Sequence, residues 1–257
     1  MSTSDQVIYE HPLNERVRTL LRLEHLFTRI TFHLPQPSEW SSRAAINGLL
    51  DITNILNRAD IKSEAIKELE RHTASLDKIR SAPGVDSQQL DLILNDLDSS
   101  TSKLRQTSAQ IGRGLRENEF LSSIMQRSTI PGGTCDFDLP QFHYWLQQPA
   151  EVRHSDLQDW YQELLPLQVA AQLLLSLTRN SAHASNAEAT AGLYQHILES
   201  QAPAQLIRVG LPKESPLFPE ISGGKHRFAI RFLEPNNSGR PNQTQLDVNF
   251  SLICCIF

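Results

Sequence analysis

Cysteines are scarce in this chain: Cys135, Cys254 and Cys255 are the only three in 257 residues. An odd, sparse count argues against a disulfide framework. Cys254 and Cys255 are neighbours, and neighbours on a strand point to opposite faces, which suits neither a bridge nor a shared metal site. They fit buried thiols in an apolar Leu-Ile-Cys-Cys-Ile-Phe ending. Positive charge is not in excess either: 24 lysines and arginines against 29 aspartates and glutamates leave a net charge of -5. That disfavours a generally basic nucleic-acid binder but leaves room for a local basic patch. Long apolar runs are missing too. The longest stretch, 164–177, is interrupted by Pro166, Gln168 and Gln172, and no run approaches the ~20 residues that span a bilayer. The N-terminal segment has no apolar core of the signal-peptide kind. A soluble, cytosolic protein without membrane insertion is expected. Phosphate-loop, nucleophile-elbow, HExxH and paired CxxC motifs are all absent, and Gly112-x-Gly114 is only a fragment of a dinucleotide fingerprint with no strand before it.

What is present is helical periodicity. Hydrophobic residues make up 39% of the chain, enough for one large domain or two smaller ones. Asn14 is placed to cap a helix running to about residue 31, with Val17, Leu20, Leu21, Leu23, Phe27 and Ile30 at helical spacing before Pro35 and Pro37. Ser38 and Asp60 are placed to cap two more, the second stopped by Pro83-Gly84. Asp86 with Gln89 forms a capping-box pattern for a fourth. A further helix is expected over 115–127. Together these segments predict a helical bundle.

The pattern changes at Ile130-Pro131-Gly132-Gly133. Cys135 to Asp138 alternates like a short strand. Pro140 suits the first turn of a small helix holding Phe142, His143, Tyr144, Trp145 and Leu146. Ser155 with Gln158 is a second capping-box pattern, opening a long apolar helix to about residue 180. After Ser181, alternation predicts strands over 206–211, 227–232 and 246–251. The stretch 192–199 is ambiguous and reads better as strand. The expected fold class is α+β: an N-terminal α-helical bundle domain plus a smaller antiparallel β-sheet or sandwich domain. Residues 1–128 form the α-helical domain, with helix 155–180 packing back onto it. Residues 129–150 and 184–257 form the β-domain.

Three patterns carry candidate chemistry. Arg18, Arg22, His25 and Arg29 stack on one face of the first helix, beside Leu20, Leu23, Phe27 and Ile30. A guanidinium row next to apolar surface suits an acidic, partly apolar peptide. The same spacing suits an ordinary amphipathic surface helix, with Glu15 and Glu24 partly neutralising the row. Arg227 and Arg231 share a strand face that Phe228, Ile230 and Phe232 do not, which is either a polar outer face or a charged binding face. Asp136 and Asp138, paired if extended, with His143 nearby in sequence, form the alternative: an enzyme with a carboxylate and histidine site, or hard-metal ligands.

Four strings then resemble one family. They are Tyr9-Glu10-His11-Pro12-Leu13-Asn14-Glu15 with Arg18 and Leu21-Arg22-Leu23-Glu24; Ile111-Gly112 with Leu115-Arg116-Glu117; Ile130-Pro131-Gly132-Gly133 with Cys135-Asp136-Phe137-Asp138-Leu139-Pro140 and His143-Tyr144-Trp145-Leu146; and Arg227-Phe228-Ala229-Ile230-Arg231-Phe232. Their order and the closing Cys254-Cys255 pair resemble the ZapD family of FtsZ-associated cell-division proteins, over nearly the whole chain. The resemblance implies a cytoplasmic, non-enzymatic homodimer without cofactor, metal or nucleic-acid partner. It implies binding to the C-terminal tail of the tubulin-like GTPase FtsZ and cross-linking of FtsZ filaments into bundles during Z-ring assembly at mid-cell. The family's basic partner-contacting positions fall on Arg18, Arg22 and His143. Arg116 in the LRE string and Arg227 in the RFAIRF string complete the candidate tail-binding set. One departure is Glu119, where family members can carry a basic residue, so a contact there is lost or reversed in sign. The stretch 181–202 matches the family pattern poorly, and the tail Ile256-Phe257 is extended.

Overall fold

The computed structural model describes residues 5–107, 110–198, 203–224 and 226–256. The chain divides into two compact units, Met1–Leu20 with Leu175–Phe257, and Leu21–Leu174. The fold class is α+β, with helices dominating one unit and antiparallel strands the other.

The helices begin where side-chain oxygens take up free backbone N–H groups. Helix α1 (Glu15–His33) follows Asn14, whose Oδ1 accepts from the Val17 N–H at 2.9 Å. Ser38 caps α2 (Glu39–Leu56), Asp60 caps α3 (Ile61–Lys78), and Asp86 caps α4 (Ser87–Gln106), accepting from Gln88 and Gln89. The buried faces follow the helical period: Leu23, Phe27 and Ile30 on α1, Ile46, Leu49 and Leu50 on α2, Leu69 and Leu76 on α3, Leu90, Leu97 and Leu104 on α4. Gly48 lets α2 approach α1 closely, since a Cβ there would meet Ile30 Cγ1 at 2.5 Å.

Three sequence expectations fail in this unit. The helix expected over 115–127 is two helices, α5 (Arg113–Glu117) and α6 (Glu119–Ser128), because Asn118 leaves the helical conformation and caps α6 through the Leu121 N–H. Cys135 to Asp138 is no strand. Gly132 takes φ +72°, and tight-turn bonds from Gly133 to Ile130 and from Cys135 to Gly132 coil the segment. The stretch 129–150 therefore supplies turns and α7 (Pro140–Leu146), and its numbers fall in the helical unit. The helix expected from Ser155 is α8 (Ala150–Gln162) and α9 (Leu165–Arg179). Pro166 has no N–H to give and crowds the carbonyl a turn earlier, so the helix breaks before it. Ser155 is then a mid-helix residue rather than a cap.

A buried arginine fixes α8. Arg153, 6% exposed, donates to Ser42 Oγ at 2.7 Å, to the Pro37 carbonyl at 2.7 Å and to the Gln148 carbonyl at 3.1 Å. Its charge is shared among acceptors that the α1–α2 connection, α2 and the segment before α8 would otherwise leave unsatisfied.

The other unit holds two antiparallel sheets. One has the order β1 (Gln6–Pro12), β4 (Leu206–Pro212), β8 (Val248–Cys255), β2 (Ser185–Ala189). The other has β3 (Leu193–Ile197), β6 (Arg227–Glu234) and β5 (Phe218–Gly223), with β7 (Asn242–Gln243) pairing β6. Ile207, Val209 and Leu211 of β4, Phe250 and Leu252 of β8, and Phe228, Ile230 and Phe232 of β6 form one core between the sheets. β4, β6 and β8 lie on the segments that alternation predicts, and β3 lies in the ambiguous stretch 192–199 that reads better as strand. β1, β2, β5 and β7 were not expected. β1 pairs with β4 in a register that sets Glu10 opposite Arg208. Residue 199, the end of the ambiguous stretch, lies with residues 200–202 and the terminal Phe257 outside the described residues.

Candidate partner-binding surfaces

The basic row on α1 is only partly neutralised. Arg18 Nε meets Glu15 Oε1 at 3.0 Å, and Arg29 Nη2 meets Asp51 Oδ2 of α2 at 2.6 Å. Arg22 and His25 are exposed, and among the described residues neither forms an ion pair. His11 of β1 is held below its ordinary pKa by burial and then by the nearby Arg18 guanidinium. It is neutral at pH 7 and does not add to the row. The apolar flank expected beside these cations faces inward instead: Leu20, Leu23, Phe27 and Ile30 are all buried. What the row presents outward is charge.

Arg116 sits on α5 and donates to two neutral amides, Asn57 Oδ1 at 3.2 Å and Gln110 Oε1 at 2.8 Å. These bonds orient the guanidinium without neutralising it. It lines a recess of about 530 Å³ with Arg58 and Lys62, whose floor includes Leu56 and Ile111. Asp60 lines the recess too, but it is engaged as the α3 cap. Arg58 and Lys62 are not in the sequence-derived set. They flank a helix cap, and only the return of the chain at Gln110 brings them to Arg116. Neighbouring Arg113 pairs with Glu117 at 2.6 Å.

His143 lies on α7, whose inward side is Phe142, Trp145 and Leu146. Phe142 and Trp145 join Phe120 and Trp160 in a ring cluster with centroids 5.7–6.1 Å apart, and Trp145 Nε1 donates to Asp156 Oδ2 at 2.8 Å. This packing sets the short helix so that His143 and Tyr144 face out.

Arg227 opens β6. The alternation expected there holds: Phe228, Ile230 and Phe232 are buried while Arg227 and Arg231 are exposed. The two arginines differ in their partners. Arg231 is bound to Glu220 of β5. Arg227 has no ion pair among the described residues, and it lines a cavity of about 860 Å³ with His196, Ile197, His226 and Phe228. The described lining of that cavity holds no carboxylate.

The paired-carboxylate arrangement does not form. Its premise was an extended strand, and the segment is coiled. Asp136 accepts from the Phe137 N–H at 3.0 Å, while Asp138 accepts from Cys135 Sγ at 3.4 Å and faces Arg127 at 3.5 Å. Among the described residues no group of three or more His, Cys, Asp or Glu side chains is placed to hold a metal ion, and no helix is long and apolar enough to cross a membrane.

Arg22, Arg116 and His143 belong to the helical unit, and Arg18 and Arg227 to the sheet unit, with Arg18 and Arg22 one turn apart on the same helix. Against known families, the model described as "ZapD: Cell division protein" matches residues 21–231. That span takes in α1 from Leu21 onward and reaches Arg231 in β6, so Arg22, Arg116, His143 and Arg227 lie within it and Arg18 just before it.

Proposed function

The chain belongs to the ZapD family of cell division proteins, and from that premise we propose that it acts in the cytoplasm at mid-cell as a homodimer that binds the C-terminal tail of FtsZ and cross-links FtsZ filaments into bundles. The observation that carries the reading is the set of basic side chains left without a carboxylate: among the described residues Arg22, Arg116, His143 and Arg227 form no ion pair, while Arg29, Arg113 and Arg231 beside them do. An unpaired guanidinium keeps its charge for a partner's carboxylate, and the bond then formed is charge-assisted. Arg18 stays open to a partner's carboxylate in part, since its pair with Glu15 is exposed and weak.

The mechanism is binding, with no chemical step. Each protomer holds one flexible tail through arginine–carboxylate contacts and apolar burial. A two-fold dimer presents the site twice. Filaments offer tails in rows, so linked engagement raises avidity by a factor on the order of 10²–10⁴ over one site. Salt weakens the exposed charge contacts.

The deciding experiment is co-sedimentation of the purified chain with FtsZ polymerised in GTP, beside FtsZ lacking its C-terminal tail. Pelleting and bundling that require the tail support the reading. A folded chain that pellets with neither form, or with both equally, refutes tail binding.

A further inference from the structure

Exposed aromatic rings are not scattered over this protein. Among the described residues they are Phe32, Trp40, Phe137 and Tyr144, exposed by 66%, 70%, 82% and 67%, and all belong to the helical unit. Short-range contacts tie them to one end of it. Phe32 precedes His33, whose Nδ1 lies 3.4 Å from the hydroxyl of Ser41, next to Trp40. The Arg43 guanidinium sits over the Trp40 ring at 5.5 Å and the Phe142 ring at 4.8 Å, and it donates to the Thr134 carbonyl at 3.1 Å. Glu39 accepts from Gln147 at 3.0 Å. The start of α2 is thus fastened both to α7, which bears Tyr144, and to the turn that bears Phe137.

We propose that this aromatic end is the face on which a second copy of the chain docks, through an isologous two-fold contact. The assignment rests on the homodimer reading above and adds the surface. Two observations favour a second copy as the occupant. The first is area: an aromatic side chain buries about 150–250 Å², so at these exposures the rings offer roughly 400–700 Å² per protomer. A standard interface takes about 800 Å² from each partner, so the rings with their immediate neighbours are enough. The second is charge. The face mixes signs: Glu39 and Arg43 lie about one turn apart at the start of α2, and exposed Asp136 is two residues from Thr134, whose carbonyl accepts from Arg43. A self-complementary contact needs both signs on one patch, whereas an acidic tail needs one. His143 and Tyr144 are about 100° apart around α7, so a contact centred on Tyr144 leaves His143 at its rim.

The test is sedimentation equilibrium of the full chain at micromolar concentration, beside Trp40→Glu, Phe137→Glu and the double variant, with circular dichroism to verify folding. Both rings lie mostly in solvent, so the fold tolerates the change. Two-fold symmetry removes each ring twice. A wild-type dimer, at least tenfold weaker self-association in each single variant and a monomeric double variant are expected. If a charged variant does not fold, Tyr144→Ser and Phe137→Ser repeat the comparison. A wild-type chain that sediments as a monomer overturns the homodimer reading and this proposal together. A folded double variant that remains dimeric overturns the proposal alone. If that dimer then fails to pellet with FtsZ filaments, the rings serve the filament partner instead.

Discussion

Glu10 of β1 is the common acceptor of two arginines. Arg179, at the end of α9, donates from Nε at 2.8 Å and Nη2 at 2.7 Å, and Arg208, its cross-strand neighbour on β4, donates from Nε at 2.9 Å. The three side chains are about one-fifth exposed. One carboxylate thereby fastens an edge strand, its neighbour and a helix terminus. Glu10→Ala would leave two guanidiniums facing each other without their acceptor, and about 2–4 kcal/mol of stability should be lost. Arg208→Ala leaves the bidentate Arg179 pair intact and should cost less. Urea unfolding of both variants checks the order; equal, small losses would show the cluster to be ornamental.

Arg153 should be equally sensitive for the helical unit. Its three acceptors come from separate segments, and Arg153→Ala leaves the buried Ser42 hydroxyl and the two part-buried carbonyls without their donor, at a cost of about 1–3 kcal/mol. Arg153→Lys should recover little, because an ammonium cannot span the fork geometry. Thermal unfolding of the two variants measures this, and a lysine variant as stable as wild type would contradict it.

Arg22 and Arg29 share a helix face but should differ in function. Arg22→Ala should weaken FtsZ-tail binding about tenfold, the worth of one charge-assisted bond, with stability unchanged. Arg29→Ala removes the Asp51 pair. It should cost under about 1 kcal/mol of stability and shift tail affinity less than twofold. Fluorescence anisotropy with a labelled tail peptide reads both; the reverse ranking would move the site away from the unpaired cations.

His11 gives the protein an acid-sensitive point. Its pKa is lowered by burial and by Arg18. A lowered pKa means that the folded state holds the proton less tightly than the unfolded state. The stability due to neutral His11 is therefore present above about pH 6.5. It is lost as pH falls through the lower folded value. His11→Gln should flatten the fall in unfolding free energy below pH 6.5, and an unchanged slope would assign the acid sensitivity elsewhere.

At the alkaline end the buried thiols act in the opposite direction. Burial raises Cys254, and it pushes Cys255 from 9.0 to about 11. The folded chain keeps the Cys255 proton that the unfolded chain loses, so stability declines as pH rises from about 9 to about 11. Native Cys255 should resist a thiol reagent at pH 8 and react fully after denaturation. Rapid native labelling of Cys255, mapped by mass spectrometry, would contradict its burial.

Local signals were legible wherever one segment held all that was needed. The Asn14, Ser38, Asp60 and Asp86 caps and the alternation of β6 are local, because the partner of each group lies within a turn or on the same strand face. The failures have local causes that a competing signal outweighed. Pro166 overrode the apolar continuity of α8 and α9, Asn118 split a short helix, and Gly132 with its positive φ turned four alternating residues into a coil.

The amino-acid sequence by itself determined the α+β class, most helix starts, the strands rich in β-branched and aromatic residues, and the family. All of these depend on periodicity or on strings of adjacent residues. The tertiary structure decided which charges are free. Arg22 and Arg29 are equivalent on a helical wheel, as are Arg227 and Arg231 on a strand, yet Asp51 and Glu220 arrive from other elements and neutralise one of each pair. It also recruited β1, a strand with little alternation of its own, by setting Glu10 opposite Arg208 and within reach of Arg179. An ion pair between residues 169 or 198 positions apart leaves no trace in local spacing, because the chain must fold before the two charges meet.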